Sequence, residues 1–199
     1  MNRRVVVCDF DGTLVRVNSF PLWVLSIAKG FLLEFRPFLS VKVVFLLVVR
    51  KLGLVSHFDF KKNLVNLSRF LNNDYVSSSL SRHVNDRVLD FLNSCEGTRV
   101  ISSAAPLVYL EHTVDLIDAH VSHVIGSTFV GDDFFENYSE NKVESLKQVC
   151  QDPKDVVVIT DHYEDLPLMK IASKVYLVSP SEKTLRVVES AGIQYDILC

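Results

Sequence analysis

Residues 5–13 read Val5-Val6-Val7-Cys8-Asp9-Phe10-Asp11-Gly12-Thr13. The four apolar residues, mostly β-branched, predict a strand covered on both faces. Two carboxylates, two residues apart, follow where that strand should end. Strand side chains alternate faces, so Asp9 and Asp11 project the same way unless the backbone turns between them. Gly12 permits a sharp turn. Crowded carboxylates repel each other, and the repulsion calls for a shared proton, a cation or a metal ion.

Further apolar runs lie at residues 99–101, 156–159 and 175–178. Apolar residues recur at helical spacing over residues 107–117 and 142–149, and again from Leu185 to Val188. Strands alternating with helices predict an α/β fold, an open parallel sheet with helices on both faces. Such sheets bind ligands outside the carboxyl ends of their strands. Residues 18–95 break the rhythm and read as helical throughout. Pro21 suits the first turn of a helix beginning near Ser19. A second helix is expected from Phe38 to Leu52, with Arg50 and Lys51 in its last turn and Gly53 beyond it. Ser56 resembles a cap for a third. Asn72-Asn73-Asp74 marks a loop, and Val76, Leu80, Val84 and Val88 form an i, i+4 stripe on a fourth.

The bulk composition narrows the function. The chain has 199 residues, 48% hydrophobic and 23% charged, with a net charge of −3. That is a globular composition with no basic stripe, so nucleic acid is not an expected partner. Cys8, Cys95, Cys150 and Cys199 form no C-x-x-C pair, which leaves zinc and redox motifs without support. The basic start Met1-Asn2-Arg3-Arg4 precedes too few apolar residues for a secretion signal. A reducing cytoplasm, with the cysteines as thiols, is the expected setting.

Three more features fall at the loop-facing ends of elements. Ser102-Ser103-Ala104-Ala105-Pro106 follows a strand, and a hydroxyl with free N–H groups there suits an anion. Lys142 opens a helix. Asp161-His162-Tyr163-Glu164-Asp165 follows the strand 156–160. The order Asp-x-Asp-Gly-Thr, strand-end Ser, Lys, then Asp-x-x-x-Asp resembles the haloacid dehalogenase (HAD) superfamily. Ser-Ala-Ala-Pro and Asp-x-x-x-Asp-Leu-Pro-Leu resemble its subfamily IB, which includes phosphoserine phosphatases and a phosphatidylglycerophosphatase.

The resemblance implies a Rossmann-like catalytic core over residues 1–16 and 96–199, with an inserted all-helical cap over 17–95. It implies Mg²⁺-dependent hydrolysis of a phosphate monoester through an aspartyl-phosphate. Asp9 would be the nucleophile and Asp11 the general acid and base. Ser103 and Lys142 would complete the catalytic set. Gly12, Thr13, Ser103, Ala104 and Lys142 would meet the substrate phosphate. Asp9, the carbonyl of Asp11, Asp161 and Asp165 would hold Mg²⁺, with Asp165 acting through a bound water or from behind the ligands. Hard oxygen donors and a substrate phosphate are the usual surroundings of that ion.

Rival residues are weighed on position. Alternation puts Ser102 and Ser103 on opposite faces, and the Ser-Ala-Ala-Pro match favours Ser103. Lys142 is favoured over Lys147 because it sits at the helix start. Asp165 has an alternative role as a helix cap, and His162 reads as a loop residue beside the pocket. His112, His120 and His123 lack a ligand pattern and read as surface or core histidines. Hydrolytic dehalogenation is disfavoured, since it needs no Asp at position 11. A phosphotransferase would share the intermediate, and a binding protein would keep the fold without turnover. Phosphoserine phosphatases carry a glutamate soon after the first motif, whereas Val17-Asn18-Ser19 offers no acid. The loop 130–141 is short and acidic beside what that subfamily usually carries.

Residues 38–49 contain only Ser40 and Lys42 as polar residues. One account is burial against the cap or against a second copy in a homodimer. The other is peripheral contact with a membrane, which would suit a lipid phosphate as substrate. Lys29, Glu34, Arg36, Pro37 and Lys42 interrupt the stretch, which argues against a spanning helix.

Overall fold

The computed structural model describes residues 4–69, 71, 74–150 and 155–198. Met1 to Arg3, Asn72 and Asn73 of the expected loop, and Cys199 lie outside the described residues. The strands are β1 (Arg4–Cys8), β2 (Thr98–Pro106), β3 (His123–Val130), β4 (Asp133–Phe135), β5 (Asp155–Thr160), β6 (Lys174–Leu177) and β7 (Asp196–Ile197). They form one sheet in the order β4-β3-β2-β1-β5-β6-β7. Every neighbouring pair is parallel except β3 with β4.

β1 is central, with β2 on one side and β5 on the other. Successive connections leave it in opposite directions, which opens a crevice at its carboxyl end. Its side chains alternate as the strand period requires. Val6 and Cys8 join the core shared with the cap, while Val5 and Val7 pack with Leu146, Val156 and Leu168 on the other face.

The helices are α1 (Ser19–Leu33), α2 (Pro37–Lys51), α3 (His57–Ser68), α4 (Asp74–Leu80), α5 (Asp86–Ser94), α6 (Leu107–Leu116), α7 (Glu140–Val149), α8 (Leu166–Ile171) and α9 (Glu182–Ser190). Local signals set several of their ends. Asn18 accepts the Phe20 N–H at 3.1 Å and Ser56 accepts that of Asp59 at 3.0 Å. These contacts satisfy donors that a first turn leaves unpaired. α1 and α2 form a hairpin, and α3 packs on α2.

Three sequence expectations change. The stripe from Val76 to Val88 is not one helix. α4 ends at Leu80, a 3₁₀ turn covers Ser81–His83, and α5 begins at Asp86. The break lets the chain pair with the loop after β1: Arg16 N–H donates to His83 O and Asn85 N–H to Leu14 O, both at 2.9 Å. A continuous helix would have taken those groups for itself. The loop 130–141 contains β4, and His123 begins β3 opposite Val100. Gly126 within β3 is needed for close packing, because a Cβ there would come within 2.8 Å of Ala105 O. Finally, α5 lies against the sheet, its Phe91 ring meeting Tyr176 of β6 edge-on at 4.9 Å.

Candidate active site

β1 delivers Asp9, whose N–H continues the ladder by donating to Ile159 O at 2.9 Å. The first turn of α7 brings Lys142 across the crevice. Ser139, just before α7, holds φ at 50°, a conformation that non-glycine residues seldom adopt. From there the Lys142 Nζ reaches Asp9 Oδ1 at 2.8 Å and Asp165 Oδ1 at 2.6 Å. Lys142 is buried, only 4% exposed, so it is no ordinary solvated helix lysine. The other oxygen of Asp165 accepts the Thr160 hydroxyl at 2.8 Å, so both of its oxygens are engaged.

Asp161 follows β5 and lies over Gly12. A Cβ on Gly12 would come 2.3 Å from Asp161 Oδ2, and Gly12 also holds φ at 76°. The positive φ favours glycine at that position, and a Cβ there would also displace the Asp161 carboxylate. Thr13 is buried, and its hydroxyl donates to Asp161 Oδ1 at 3.1 Å. Asp11 turns toward the cap, where its Oδ1 accepts the Ser19 N–H at 2.8 Å. The Ser19 hydroxyl is in turn 2.6 Å from the Tyr109 hydroxyl, and both residues are buried. Ser103 Oγ accepts the Ala105 N–H at 3.1 Å, whereas Ser102 Oγ accepts from the buried Asn137 side chain at 3.1 Å.

A cavity of about 580 Å³ unites most of these groups. Asp9, Asp11, Gly12, Ser103, Ala104, Lys142, Asp161 and Asp165 line it, and so does His162. Thr13 and Ser102 are not among the lining residues. His112, His120, His123 and Lys147 are absent from the lining as well.

Burial dominates the electrostatics. It lifts the Asp9 carboxyl above the ordinary carboxylate range, against the pull of Lys142. It also raises Asp11, opposed by the hydrogen bonds from Ser19, and raises Asp161, opposed by the hydrogen bond from Thr13. Burial alone would lower Lys142, but Asp165 and Asp9 outweigh it and hold the ammonium charged. One lysine therefore faces more carboxylate than it can neutralise.

That imbalance bears on a metal ion. Among the described residues, no three His, Cys, Asp or Glu side chains converge to hold one unaided. Asp9, Asp11 and Asp161 do line one cavity together, and their carboxylate and carbonyl oxygens are the donors at hand. These are hard oxygen donors with neither sulfur nor imidazole among them, which fits Mg²⁺ completed by water and phosphate. The close seat of Asp161 over Gly12 is a cradle that any Cβ would fill.

Sequence reasoning missed the cap side of the cavity. Lys61 of α3 is buried, donates to Ala104 O at 3.2 Å and pairs closely with Glu136. His57, Phe20 and Tyr138 line the same region. A signal existed for Lys61. It sits beside Phe60 on the buried face of α3, which Leu64, Val65 and Ser68 continue. A cation on such a face calls for a buried partner.

The comparisons with known proteins follow this geometry. The family model described as haloacid dehalogenase-like hydrolase matches residues 6–170. A protein of unknown function from Bordetella pertussis Tohama I is similar in structure, with TM-score 0.74, 14% identity and 100% of both chains covered. A phosphoserine phosphatase carrying a phospho-aspartyl intermediate analogue superposes with TM-score 0.58 at 13% identity, over 99% of this chain and 93% of its own. A phosphoserine phosphohydrolase-like protein from Francisella tularensis subsp. tularensis SCHU S4 gives 0.55 at 16% identity, over 99% and 94%. At such identities these likenesses speak for the fold. No curated protein matches the chain.

Proposed function

The chain belongs to the haloacid dehalogenase-like hydrolases, and from that premise we propose that it is a phosphatase acting on a phosphate monoester through Asp9. The observation that carries this reading is the Asp9–Lys142–Asp165 array at the mouth of the central strand, with Asp11 and Ser103 lining the same cavity.

Each residue has a task that its surroundings support. The Asp9 carboxylate attacks phosphorus, forming an aspartyl-phosphate as the bond to the leaving alkoxide breaks. Asp11, raised by burial, holds a proton for that alkoxide. It then takes a proton from the water that cleaves the Asp9–phosphorus bond, and phosphate leaves. The hydrogen bond from Ser19 holds the Asp11 side chain beside the start of α1, where the leaving group would lie. Lys142 offsets charge on Asp9 and the phosphoryl oxygens. The hydroxyl of Ser103 and the backbone at Ala104 and Gly12 meet those oxygens. Asp165 orients Lys142 through its ion pair, and Thr13 orients Asp161. Asp9, the Asp11 carbonyl and Asp161 would hold Mg²⁺, which supplies electrostatic stabilisation of the transferring group.

Substrate choice falls to the cap side of the cavity. Arg16, Asn18, Phe20, His57, Lys61 and Glu136 line it, and Lys61 is already neutralised by Glu136. The test is release of phosphate from an aryl phosphate with and without Mg²⁺. Turnover is expected with the ion, to be lost on chelation and in Asp9→Asn. Turnover that persists in excess chelator would remove the metal assignment, and an active Asp9→Asn would remove the nucleophile.

A further inference from the structure

The α1–α2 hairpin carries a segregated surface that the chemistry at Asp9 leaves unused. On α2, Phe38, Val41, Val44, Phe45 and Val48 are exposed, and Leu32, Leu33 and Phe35 extend the apolar surface across the turn. At 3.6 residues per turn, the five α2 residues span an arc of about 120°. Lys42 and Lys51 fall just beyond the two edges of that arc. The opposite side of α2 is buried through Ser40, Val43 and Leu46. So many large apolar side chains exposed along one hairpin mark a contact site rather than chance.

The turn adds an independent sign. Phe35 holds φ at 56°, the left-handed conformation usually given to glycine, and its side chain is 94% exposed. Arg36 N–H closes the turn on Phe31 O at 2.8 Å. The protein thus keeps a phenyl group in an unfavourable backbone position and presents it outward, the pattern of strain kept for a binding role.

Charge selects the partner. Residues 19–54 contain five basic residues and one acidic one, although the whole chain carries −3. Lys42 and Lys51 have no ion-pair partner among the described residues. Pairing this face with a second copy of itself would bring like charges together, whereas anionic headgroups complement them. α2 has 15 residues, which is about 22 Å of helix against a bilayer core of about 30 Å. Among the described residues no helix is long and apolar enough to cross a membrane.

We propose that the α1–α2 hairpin docks the protein onto an anionic lipid surface. The Phe38–Val48 stripe enters the acyl boundary, and Lys42 and Lys51 meet the lipid phosphates. No α2 residue lines the cavity around Asp9, so the claim stands or falls separately from the phosphatase reading.

The test is co-sedimentation of the full chain with vesicles of phosphatidylcholine and phosphatidylglycerol, and with phosphatidylcholine alone. Binding is expected on the anionic vesicles and is expected to weaken with salt. Phe38→Ser with Phe45→Ser should weaken it about a hundredfold. Lys42→Gln and Lys51→Gln, which leave the apolar stripe intact, should each weaken it about fivefold. Release of phosphate from a soluble ester should be unchanged in all of them. Parent protein that stays in the supernatant with anionic vesicles overturns the proposal. So do variants that bind as tightly as the parent, and so does a concentration-dependent dimer that the Phe substitutions dissolve and vesicles do not displace.

Discussion

The crevice at the end of β1 and the outer face of α2 use charge in opposite ways. In the crevice, charge is turned inward and tied down: Lys142, Asp9, Asp165 and Thr160 form one linked set of contacts, and Asp161 pairs with Thr13 beside it. On α2, apolar side chains are turned outward and the lysines stand at the margins. Under the proposed function the first region carries out chemistry on a phosphoryl group, and that chemistry needs a dry, preorganised field. The second leaves its apolar surface uncovered within the chain, and such a surface gains free energy only when something covers it. One small protein would thus keep the proposed reaction and the proposed membrane docking on separate surfaces.

The most severe way to break this contrast is to disarm the crevice without disturbing its packing. Asp9→Asn should cut phosphate release on the order of 10⁴-fold or more. Its circular dichroism should match that of the parent. Lys142→Met probes the same region through stability. It leaves Asp9 and Asp165 buried without their cation, at a cost of about 3–5 kcal/mol in urea unfolding. A loss below about 1 kcal/mol would mean that the network behaves like surface ion pairs.

Lys61→Met tests the junction between the two regions. Glu136 would lose its partner inside the cavity, so the expected loss is about 1–3 kcal/mol. The Michaelis constant should shift more than the turnover rate, because Lys61 lies on the cap side of the site. The smallest effects sharpen the contrast within α2 itself. Leu46→Ala should cost about 2–3 kcal/mol. The adjacent Phe45→Ser should change stability by about 0.5 kcal/mol at most. Similar losses at both positions would mean that Phe45 is covered within the folded chain.

The legibility of the sequence follows the range of the interactions involved. β1 and its acids could be read because strand period, β-branching and a turn glycine are local signals. The α2 boundaries could be read to within one residue for the same reason, from Arg50 and Lys51 in its last turn and Gly53 beyond its end. Val84 misled because its helical spacing from Leu80 was real, while its pairing with Val15 lay far away in the chain. β3 and β4 stayed hidden because most of their residues are only partly buried or exposed and include histidine, an acid and glycine. Lys61 and Glu136 are 75 residues apart, and nothing local in either segment names the other. Ser40 and Lys42 show the limit of composition most simply. Both interrupt the same apolar run, yet one is buried in the hairpin and the other edges its exposed face.

The central claim is that Asp9 becomes phosphorylated during turnover. The most direct measurement is mass spectrometry of protein acid-quenched during turnover of a phosphate ester with Mg²⁺. A phosphoryl adduct on Asp9, absent from Asp9→Asn, is the expected result. Sustained phosphate release with Asp9 unmodified, or with the adduct on another residue, would contradict the account.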